Sequence, residues 1–402
     1  MADLITLDDI TKAQATIKHL IKRTPVVECP TLETLTGNKI YLKLENLQKT
    51  GSFKVRGAMN KIANLTDDEK NSGVIASSAG NHAQGVALGA SLQGIKATIV
   101  MPETAPLAKV SATQGYGADV VLAGSVYDDA YNKACEIQKE TGATFLHPFD
   151  DEYVIAGQGT IGLEILEDLP DIDVIIAPIG GGGILAGIAM AVKAIKPEVM
   201  VIGVQTKNVP SMREAIKRDQ ICEVTAIPTI ADGIAVKKAG SKTFELIRKY
   251  VDEIVTVSED DIAKSILFLL EKSKVSAEGA GATPVAAILA DRINLIGKKI
   301  CAVISGGNID INLLERILNR ALILEGRRAE FNVRIPDKVG EMEKLIKLIS
   351  THKANILQLS QTMMRECLGI NTQEVSFVLE CLDKNHRDEI KKVLTNAGYE
   401  VH

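Results

Sequence analysis

The sequence predicts an α/β protein that has two doubly wound, mostly parallel-sheet domains, followed by a small C-terminal domain of ferredoxin-like type. The first 320 residues alternate short β-branched runs with Ala-rich, helix-length stretches, and the residues from 329 onwards follow a different order. Alternation of strands and helices requires right-handed crossovers, which place helices on both faces of a parallel sheet. Ligands bind such sheets beyond the carboxyl ends of the strands.

The strands of the two parallel sheets are predicted from short apolar runs. They are Ile40–Leu44, Gly73–Ser77, Lys96–Met101, Asp119–Leu122, Val174–Pro178, Met200–Val204 and Lys299–Ser305. Amphipathic stretches such as Val126–Thr141 and Asp260–Lys272 have the length and periodicity of helices. We assign residues 1–47 and 152–320 to a large domain and residues 48–151 to a small one.

Residues 329–402 have the predicted order β-α-β-β-α-β, which is typical of ferredoxin-like domains. The predicted elements are strand Glu330–Ile335, helix Lys338–His352, strands Ile356–Gln361 and Glu374–Glu380, helix Arg387–Ala397 and strand Tyr399–His402. The charged segment 321–328 is predicted to be a linker between this domain and the preceding part of the chain.

The composition disfavours several classes of protein. The net charge is −5, aromatic residues make up 3% and Trp is absent, which argues against a nucleic-acid surface. The N-terminus lacks the features of a signal peptide, and no apolar stretch approaches the roughly 20 residues that span a bilayer. The six cysteines form no C-x-x-C pair, so we predict no metal site and no disulfide framework. We therefore expect a cytoplasmic protein.

The segment Lys49–Ala58 contains a lysine that is suited to covalent chemistry. Lys54 falls at or near a helix N-terminus, where the helix dipole disfavours a positive charge. Proximity to Arg56 and partial desolvation should lower its pKa further, as Schiff-base chemistry requires. The decapeptide alone leaves open that Lys54 is a surface lysine after a turn.

Two further motifs follow predicted strands. In Ser77–Gly85, small residues allow a ligand close to the backbone, the helix start can hold a carboxylate, and Asn81 offers a donor and an acceptor. In Ile304–Asn308, the hydroxyl of Ser305 can point towards the same ligand-binding region beyond the carboxyl ends of the strands. Read singly, each segment is also compatible with an ordinary turn.

Four consecutive glycines, Gly180 to Gly183, follow the apolar strand Val174–Pro178. Such a run has a high cost in backbone entropy, and a nest of N–H groups around a phosphate would explain it. Residues Gly181 to Ala186 also match the G-x-G-x-x-[G/A] dinucleotide-binding fingerprint, but Gln205 stands where that fingerprint requires an acidic residue. We predict a phosphate site and disfavour a nicotinamide oxidoreductase; a tight turn without a ligand is the structural alternative.

Taken in order, S-F-K-x-R-G-A, S-A-G-N-H-A-Q-G, G-G-G-G-I and S-G-G-N resemble the motifs of the β-family of pyridoxal-phosphate enzymes. This is fold type II, the tryptophan synthase β-like fold, and the resemblance is strongest to the threonine dehydratases (threonine ammonia-lyases). It covers essentially the whole chain. It implies a pyridoxal 5'-phosphate cofactor and conversion of L-threonine to 2-oxobutanoate and ammonia, with L-serine giving pyruvate.

The resemblance also implies roles for individual residues. Those implied to hold the cofactor are Phe53, Lys54, Asn81, Gly180, Gly181, Gly182, Gly183, Ile184, Gly233 and Ser305. Those implied to hold the substrate are Ser78, Ala79, Gly80, Asn81 and His82. Lys54 would form the Schiff base and act as the base at the substrate Cα, the four glycines and Ile184 would bind the phosphate, and Asn81 would meet the ring hydroxyl. Phe53 and Gly233 would flank the ring, and Ser305 would face its nitrogen.

Two residues favour elimination within this family. A hydroxyl at Ser305 should leave the ring nitrogen neutral, which shortens the life of a carbanion and favours prompt loss of the β-hydroxyl. Serine racemases carry a second serine where this chain has Ala79, and racemisation needs acid–base groups on both faces. A serine-preferring dehydratase or racemase of the same fold stays open, as does a non-catalytic amino-acid sensor, against which Lys54 and Asn81 count.

The C-terminal pattern resembles an ACT-like regulatory domain. The resemblance implies a homo-oligomer, a dimer or a tetramer, in which isoleucine or valine binds between two such domains and inhibits the enzyme. A dimerisation module without a ligand is the alternative. Asp232 and Glu278 lie in Gly- or Ala-rich segments; support of a cation or of the active site is the alternative for either residue, and we predict them to be solvated loop residues.

Overall fold

The computed structural model describes residues 5–364 and 368–402 of the chain. Tertiary contacts divide the chain into two units, one that ends at Ile309 and one that begins at Asp310. The first unit holds both parallel sheets, and the second holds an antiparallel sheet. Within the described ranges, no helix is long and apolar enough to cross a membrane.

The N-terminal residues contribute two strands to the larger sheet. The elements are α1 (Leu7–Ile17), β1 (Val26–Glu28), α2 (Pro30–Thr36) and β2 (Lys39–Leu44). Thr6 and Asp9 form a capping box that satisfies N–H groups at the start of α1. Strand β1 pairs antiparallel with β2, and a short helical turn, Glu45–Leu47, leads out of β2.

The smaller sheet comes next in the chain. Its elements are α3 (Lys54–Ala63), α4 (Asp67–Ser72), β3 (Val74–Ser77), α5 (Asn81–Leu92), β4 (Ala97–Met101), α6 (Leu107–Gly115), β5 (Asp119–Leu122), α7 (Tyr127–Thr141) and β6 (Thr144–Phe145). All its strands are parallel, in the order β5-β4-β3-β6. The chain winds from β3 to β5 and then returns to the other side of β3. Beside β3 there is therefore a topological switch point, where ligands bind in such sheets.

The larger sheet is completed by the residues that follow. They form α8 (Glu152–Asp168), β7 (Val174–Pro178), α9 (Gly183–Ile195), β8 (Met200–Thr206), α10 (Ser211–Arg218), α11 (Ser241–Tyr250), β9 (Glu253–Val257), α12 (Glu259–Phe268), α13 (Gly279–Leu289) and β10 (Lys299–Ile304). The strand order is β1-β2-β10-β7-β8-β9, and every pair except β1 and β2 is parallel. The switch point of this sheet lies between β7 and β10.

A buried network of charges fixes helix α3 in the first unit. The guanidinium of Arg56 donates to both oxygens of Glu45 at 2.8 Å and to both oxygens of Glu164 at 2.7 and 2.8 Å. The ammonium of Lys43 donates to Glu164 at 2.6 Å. None of these four side chains is more than 6% exposed. The network ties α3 to β2 and α8, and it therefore holds the helix turn that carries Lys54.

The second unit has the predicted β-α-β-β-α-β order, preceded by one helix. Its elements are α14 (Ile311–Leu324), β11 (Arg328–Pro336), α15 (Glu341–Thr351), β12 (Asn355–Thr362), β13 (Thr372–Glu380), α16 (Lys384–Asn396) and β14 (Glu400–Val401). The antiparallel sheet has the order β12-β13-β11-β14. Phe331 and Phe377 from the sheet pack with Leu345 and Ile390 from the two helices.

All the strands predicted for the parallel sheets are present, and the largest difference is that β8 continues to Thr206. Three strands, β1, β6 and β9, were not predicted. Residues 321–324, predicted as linker, form the last turn of α14, because buried Ala321 continues the helix face of buried Ile317. The cysteines that the structure describes are all free, and Cys367 lies outside the described residues.

Candidate active site

The motifs that carry Lys54 and Ser305 are joined by backbone hydrogen bonds. The N–H of Phe53 donates to the carbonyl of Ser305 at 3.0 Å, and the N–H of Gly307 donates to the carbonyl of Gly51 at 2.9 Å. Ser305 directly follows β10 and is 2% exposed. Lys54 is the first residue of α3, as the sequence predicted. The loop that carries the lysine is therefore held against the end of β10.

The amine of Lys54 lies in a largely desolvated environment. Its Nζ donates to the carbonyl of Pro148 at 2.8 Å and lies 5.3 Å from the centre of the Phe53 ring. Desolvation lowers the pKa of Lys54 to about 8, against the opposing charge of Glu278. A fraction of the amine is therefore neutral near pH 7, so Lys54 can act as a nucleophile or as a base.

The glycine run follows β7 and leads directly into the start of α9. Gly182 has φ +103°, a left-handed conformation that side chains disfavour, and α9 begins at the next residue. Among the residues that the structure describes, no side-chain hydrogen bond caps the start of α9, so the first N–H groups of this helix can bind an anion. A methyl group on Gly181 would come within 2.4 Å of the Phe149 ring. No larger residue fits there without displacing that ring.

Pro148 and Phe149 connect the lysine to the glycine run. The carbonyl of Pro148 accepts the hydrogen bond from Lys54. Phe149, the next residue, packs its ring over Gly181 and its Cβ and backbone near Gly183. These residues follow the two-residue strand β6, which the sequence did not predict. The structure thus brings together the two motifs on which the chemical interpretation depends.

Asn81 is held by hydrogen bonds on both sides of its amide. Its Nδ2 donates to the two carboxyl oxygens of Glu278 at 2.8 and 3.0 Å. Its Oδ1 accepts from Nδ2 of Asn308 at 2.7 Å, and Asn308 also donates to the carbonyl of Thr50 at 2.7 Å. Asn81 is half-buried and begins α5. The amide therefore has one fixed orientation and links the motif after β3 to the motif after β10.

Glu278 was predicted to be a solvated loop residue, and that prediction is wrong. Its side chain is buried, and burial raises its pKa to about 7. The error arose because the Ala- and Gly-rich sequence around Glu278 resembles a surface loop but is the tightly packed start of α13. Asp232 is exposed as predicted, and it pairs with Lys109 at 3.1 Å. The one sequence feature that could have indicated a role for Glu278 in the site is that it is a single carboxylate among small residues.

Gly233 and Ile234 lie beside the glycine run and Glu278. A methyl group on Gly180 would come within 3.0 Å of the Cα of Ile234. A methyl group on Gly233 would lie 3.5 Å from a carboxyl oxygen of Glu278. Gly180 thus lies beside Ile234, and the neighbouring Gly233 lies beside Glu278, a residue for which the sequence implied no role with the cofactor.

The loop from Ser78 to His82 shows two different environments. The N–H of Gly80 donates to Oγ of Ser78 at 3.2 Å, and nothing lies within 4 Å of the position that a Gly80 side chain would occupy. His82 is buried, and its Nε2 is 2.8 Å from the carbonyl of Leu146. Burial and the charge of Lys54 lower the pKa of His82 to about 3. The imidazole ring is therefore neutral, and its Nε2 is engaged with a backbone carbonyl. His82 can donate to a carboxylate through its backbone N–H.

In the part of the chain that the structure describes, no group of three or more His, Cys, Asp or Glu side chains could hold a metal ion. Lys109 and Asp232, whose charges act on Glu278, form an ion pair with each other at 3.1 Å. The site therefore offers the reactive amine of Lys54 and two helix starts, those of α9 and α5, at which an anion can bind.

Comparison with known proteins gives consistent findings. The family model described as "Pyridoxal-phosphate dependent enzyme" matches residues 17–306. An L-threonine ammonia-lyase of Thermotoga maritima is 52% identical over 398 residues, 99% of each chain. An L-threonine ammonia-lyase of Geobacter sulfurreducens is 44% identical over 393 residues, 98% of each chain.

Solved structures also resemble this chain. The processed form of threonine deaminase isoform 2 from Solanum lycopersicum is 35% identical with a TM-score of 0.76, covering 79% of this chain and 88% of that one. Maize serine racemase is 36% identical with a TM-score of 0.75, covering 79% of this chain and 98% of that one.

Proposed function

This chain belongs to the family of pyridoxal-phosphate-dependent enzymes, and on that premise we propose that the site around Lys54 is where it converts L-threonine to 2-oxobutanoate and ammonia. The chain is a threonine ammonia-lyase, and its cofactor is pyridoxal 5'-phosphate. The assignment of the site rests on one observation. Lys54 donates to the carbonyl of Pro148, and the next residue, Phe149, packs on the glycine run.

The residues present fit the cofactor. The start of α9 carries no side-chain cap from the described residues, as a phosphate site requires, and the absence of side chains at Gly181 and Gly182 lets this turn pack against Phe149 and Thr243. Lys54 has the lowered pKa that binding of an aldehyde needs. We therefore assign Gly180, Gly181, Gly182, Gly183 and Ile184 to the phosphate, and Phe53 and Gly233 to the two faces of the ring.

The remaining residues orient the cofactor and the substrate. We assign Asn81 to the ring hydroxyl, and its hydrogen bonds with Glu278 and Asn308 hold the amide in one orientation. Ser305 is the partner of the ring nitrogen. Ser78, Ala79, Gly80, Asn81 and His82 receive the substrate carboxylate, and the start of α5 supplies N–H groups for it.

The chemistry is divided between the cofactor and the chain. The cofactor supplies an electron sink for the negative charge at the substrate Cα. Lys54 would hold the cofactor and would accept the Cα proton of the substrate, since desolvation lowers the pKa of its amine to about 8. The hydroxyl of Ser305 would leave the ring nitrogen uncharged, which favours prompt loss of the β-hydroxyl, and the protonated amine of Lys54 can supply the proton with which it leaves as water.

The test of the reaction separates a lyase from a racemase. With L-threonine as substrate, we expect ammonia and 2-oxobutanoate in equal amounts, and with L-serine we expect ammonia and pyruvate. Because Ala79 offers no acid on the second face, D-serine should not accumulate from L-serine. Enzymatic assays of ammonia and 2-oxo acid, with chiral chromatography of the remaining serine, measure this. D-serine formed faster than pyruvate would favour a racemase instead.

We further propose that the second unit is an ACT-like regulatory domain. It has the β-α-β-β-α-β order, and β12 is an edge strand of its sheet, with Leu357 and Leu359 44% and 40% exposed. Exposed edge strands pair with other chains unless they are covered. A second copy of the chain is the proposed partner, in a dimer or tetramer, with isoleucine or valine bound between two such domains. We also propose that the protein is cytoplasmic. For the domain bounds we propose a large domain of residues 1–47 and 152–320, a small domain of residues 48–151 and a regulatory domain of residues 329–402.

Isoleucine or valine is expected to inhibit the enzyme and to stabilise it. A ligand at a hundredfold excess over its Kd stabilises the folded state by about 2–3 kcal/mol, which a thermal melt detects. D-isoleucine serves as the control, since it has the same composition and the wrong hand. If both L-amino acids leave activity and Tm unchanged while the domain is folded, the effector proposal is wrong.

A further inference from the structure

The carbonyl of Gly181 is held by a side chain outside the sequence motifs. Oγ1 of Thr243 donates to this carbonyl at 2.6 Å, and the side chain of Thr243 is fully buried. The N–H of Gly240 approaches the same carbonyl at 3.5 Å. Both donors come from the start of α11. The glycine run is thus bonded on its outer side to a second helix N-terminus.

This bond determines the direction of the next N–H. In a trans peptide the carbonyl and the N–H point in opposite directions, so holding the Gly181 carbonyl towards α11 turns the N–H of Gly182 away from it. Glycine peptides rotate readily because both residues lack a Cβ. The peptide between Gly181 and Gly182 therefore needs a contact from outside the glycine run to keep one orientation, and the hydrogen bond from the hydroxyl of Thr243 supplies that contact.

Asp150 holds Thr243 in place. One carboxyl oxygen of Asp150 accepts from the N–H groups of Lys242 at 2.9 Å and Thr243 at 3.1 Å. The other accepts from the N–H of Ser241 at 2.9 Å and from its hydroxyl at 3.0 Å. Since this carboxylate occupies the anion-binding end of α11, that helix start is not available to a phosphate.

Asp150 also follows directly after Phe149. Phe149 packs on the glycine run, and the residue before it, Pro148, accepts the hydrogen bond from Lys54. Lys54, the segment Pro148–Asp150, Thr243 and the carbonyl of Gly181 thus form one connected chain of contacts.

We propose that Thr243 is a positioning residue for the cofactor phosphate, and that Asp150 keeps Thr243 in position. Thr243 acts through the peptide between Gly181 and Gly182 and does not touch the phosphate. The inference rests on the proposed assignment of the glycine run to the phosphate. On this proposal, Thr243 raises the affinity for a ligand that carries a phosphate and has no effect on the contacts of the aldehyde or the ring.

The test compares two ligands that differ only in the phosphate. The apoenzyme is titrated with pyridoxal 5'-phosphate and with pyridoxal, and binding is followed by visible absorbance. Thr243→Val keeps the shape of the side chain and removes the hydroxyl. Without the hydroxyl, the N–H of Gly182 would no longer be held towards the phosphate. We expect affinity for pyridoxal 5'-phosphate to fall about 10- to 100-fold, the value of one hydrogen bond from that N–H to a charged group, and affinity for pyridoxal to change little.

Matched variants separate positioning from a general loss of structure. Thr243→Ser restores the hydroxyl and should recover most of the preference for the phosphorylated ligand. Thr113→Val removes another buried threonine hydroxyl, which donates to the carbonyl of Lys109, and should leave both affinities unchanged. A shift in the ³¹P resonance of the bound cofactor in Thr243→Val, reversed in Thr243→Ser, is the expected spectroscopic sign.

A second pair of variants keeps the test decisive if Thr243→Val does not fold. Asp150→Asn weakens the cap of α11, and Asp383→Asn weakens the cap of α16, where Asp383 accepts from the N–H of His386 at 2.9 Å. Only Asp150→Asn should lower the ratio of the two affinities. Equal losses for both ligands in Thr243→Val and Asp150→Asn would overturn the inference.

The assignment of the phosphate site fails in a different way. If the wild-type apoenzyme bound both ligands equally, the glycine run would not be a phosphate site, and the proposal for Thr243 would fall with it. If Gly182→Ala lost the preference for the phosphorylated ligand while Thr243→Val retained it, the phosphate assignment would stand and the role of Thr243 would be refuted.

Discussion

Replacing Lys54 with alanine is expected to lower turnover of L-threonine by at least about 10³-fold, because the variant lacks both the base and the covalent attachment of the cofactor. The wild-type amine has the lowered pKa that both roles require. Steady-state release of ammonia measures the loss. The visible absorbance that the wild-type enzyme gains with pyridoxal 5'-phosphate should be absent in the variant.

Lys49→Ala is the matched control, because Lys49 is an exposed lysine five positions earlier in the chain. It should retain nearly full activity and the visible band. If Lys54→Ala kept substantial activity, another group would have to supply the base, and the assignment of Lys54 would be wrong.

Replacing Arg56 with methionine is expected to lower the free energy of unfolding by about 3–5 kcal/mol. The change removes hydrogen bonds to both Glu45 and Glu164 and leaves two buried carboxylates with Lys43 as their remaining cation in the network. Burial opposes ionisation of Glu164, but the bonds from Arg56 and Lys43 hold its pKa below the usual value. Loss of Arg56 removes the larger part of that compensation. Urea denaturation of the apoenzyme measures the effect.

Arg23→Met provides the control for this prediction. Arg23 also pairs with two carboxylates, Glu167 and Asp168, but its side chain is 49% exposed. Surface pairs of this kind contribute about 0–1 kcal/mol. Equal losses for Arg56→Met and Arg23→Met would contradict the account of the buried network.

The parts of the fold that follow from local pattern could be predicted from the sequence. Strands such as Val174–Pro178 are apolar on both faces because helices cover a parallel sheet on both sides. The glycine run and Lys54 were found because their backbone requirements are local. A left-handed residue such as Gly182 and a helix start at Lys54 leave direct signs in the sequence.

Residues that act through distant contacts could not be predicted. Thr243 lies about 60 positions after Gly181, and nothing near it in the sequence indicates a bond to that carbonyl. Pro148 was missed because β6 has only two residues and shows no periodicity. Glu278 was placed in a solvated loop because burial depends on packing against Gly306 and Asn81, which sequence pattern does not show.

The most direct test of the central claim is to reduce the wild-type enzyme with borohydride in the presence of its cofactor and to map the modified peptide by mass spectrometry. The account predicts a single phosphopyridoxyl group on the Nζ of Lys54, with Lys43, Lys49 and Lys61 unmodified. A modification at another lysine, or none in a protein that turns over L-threonine, would contradict it.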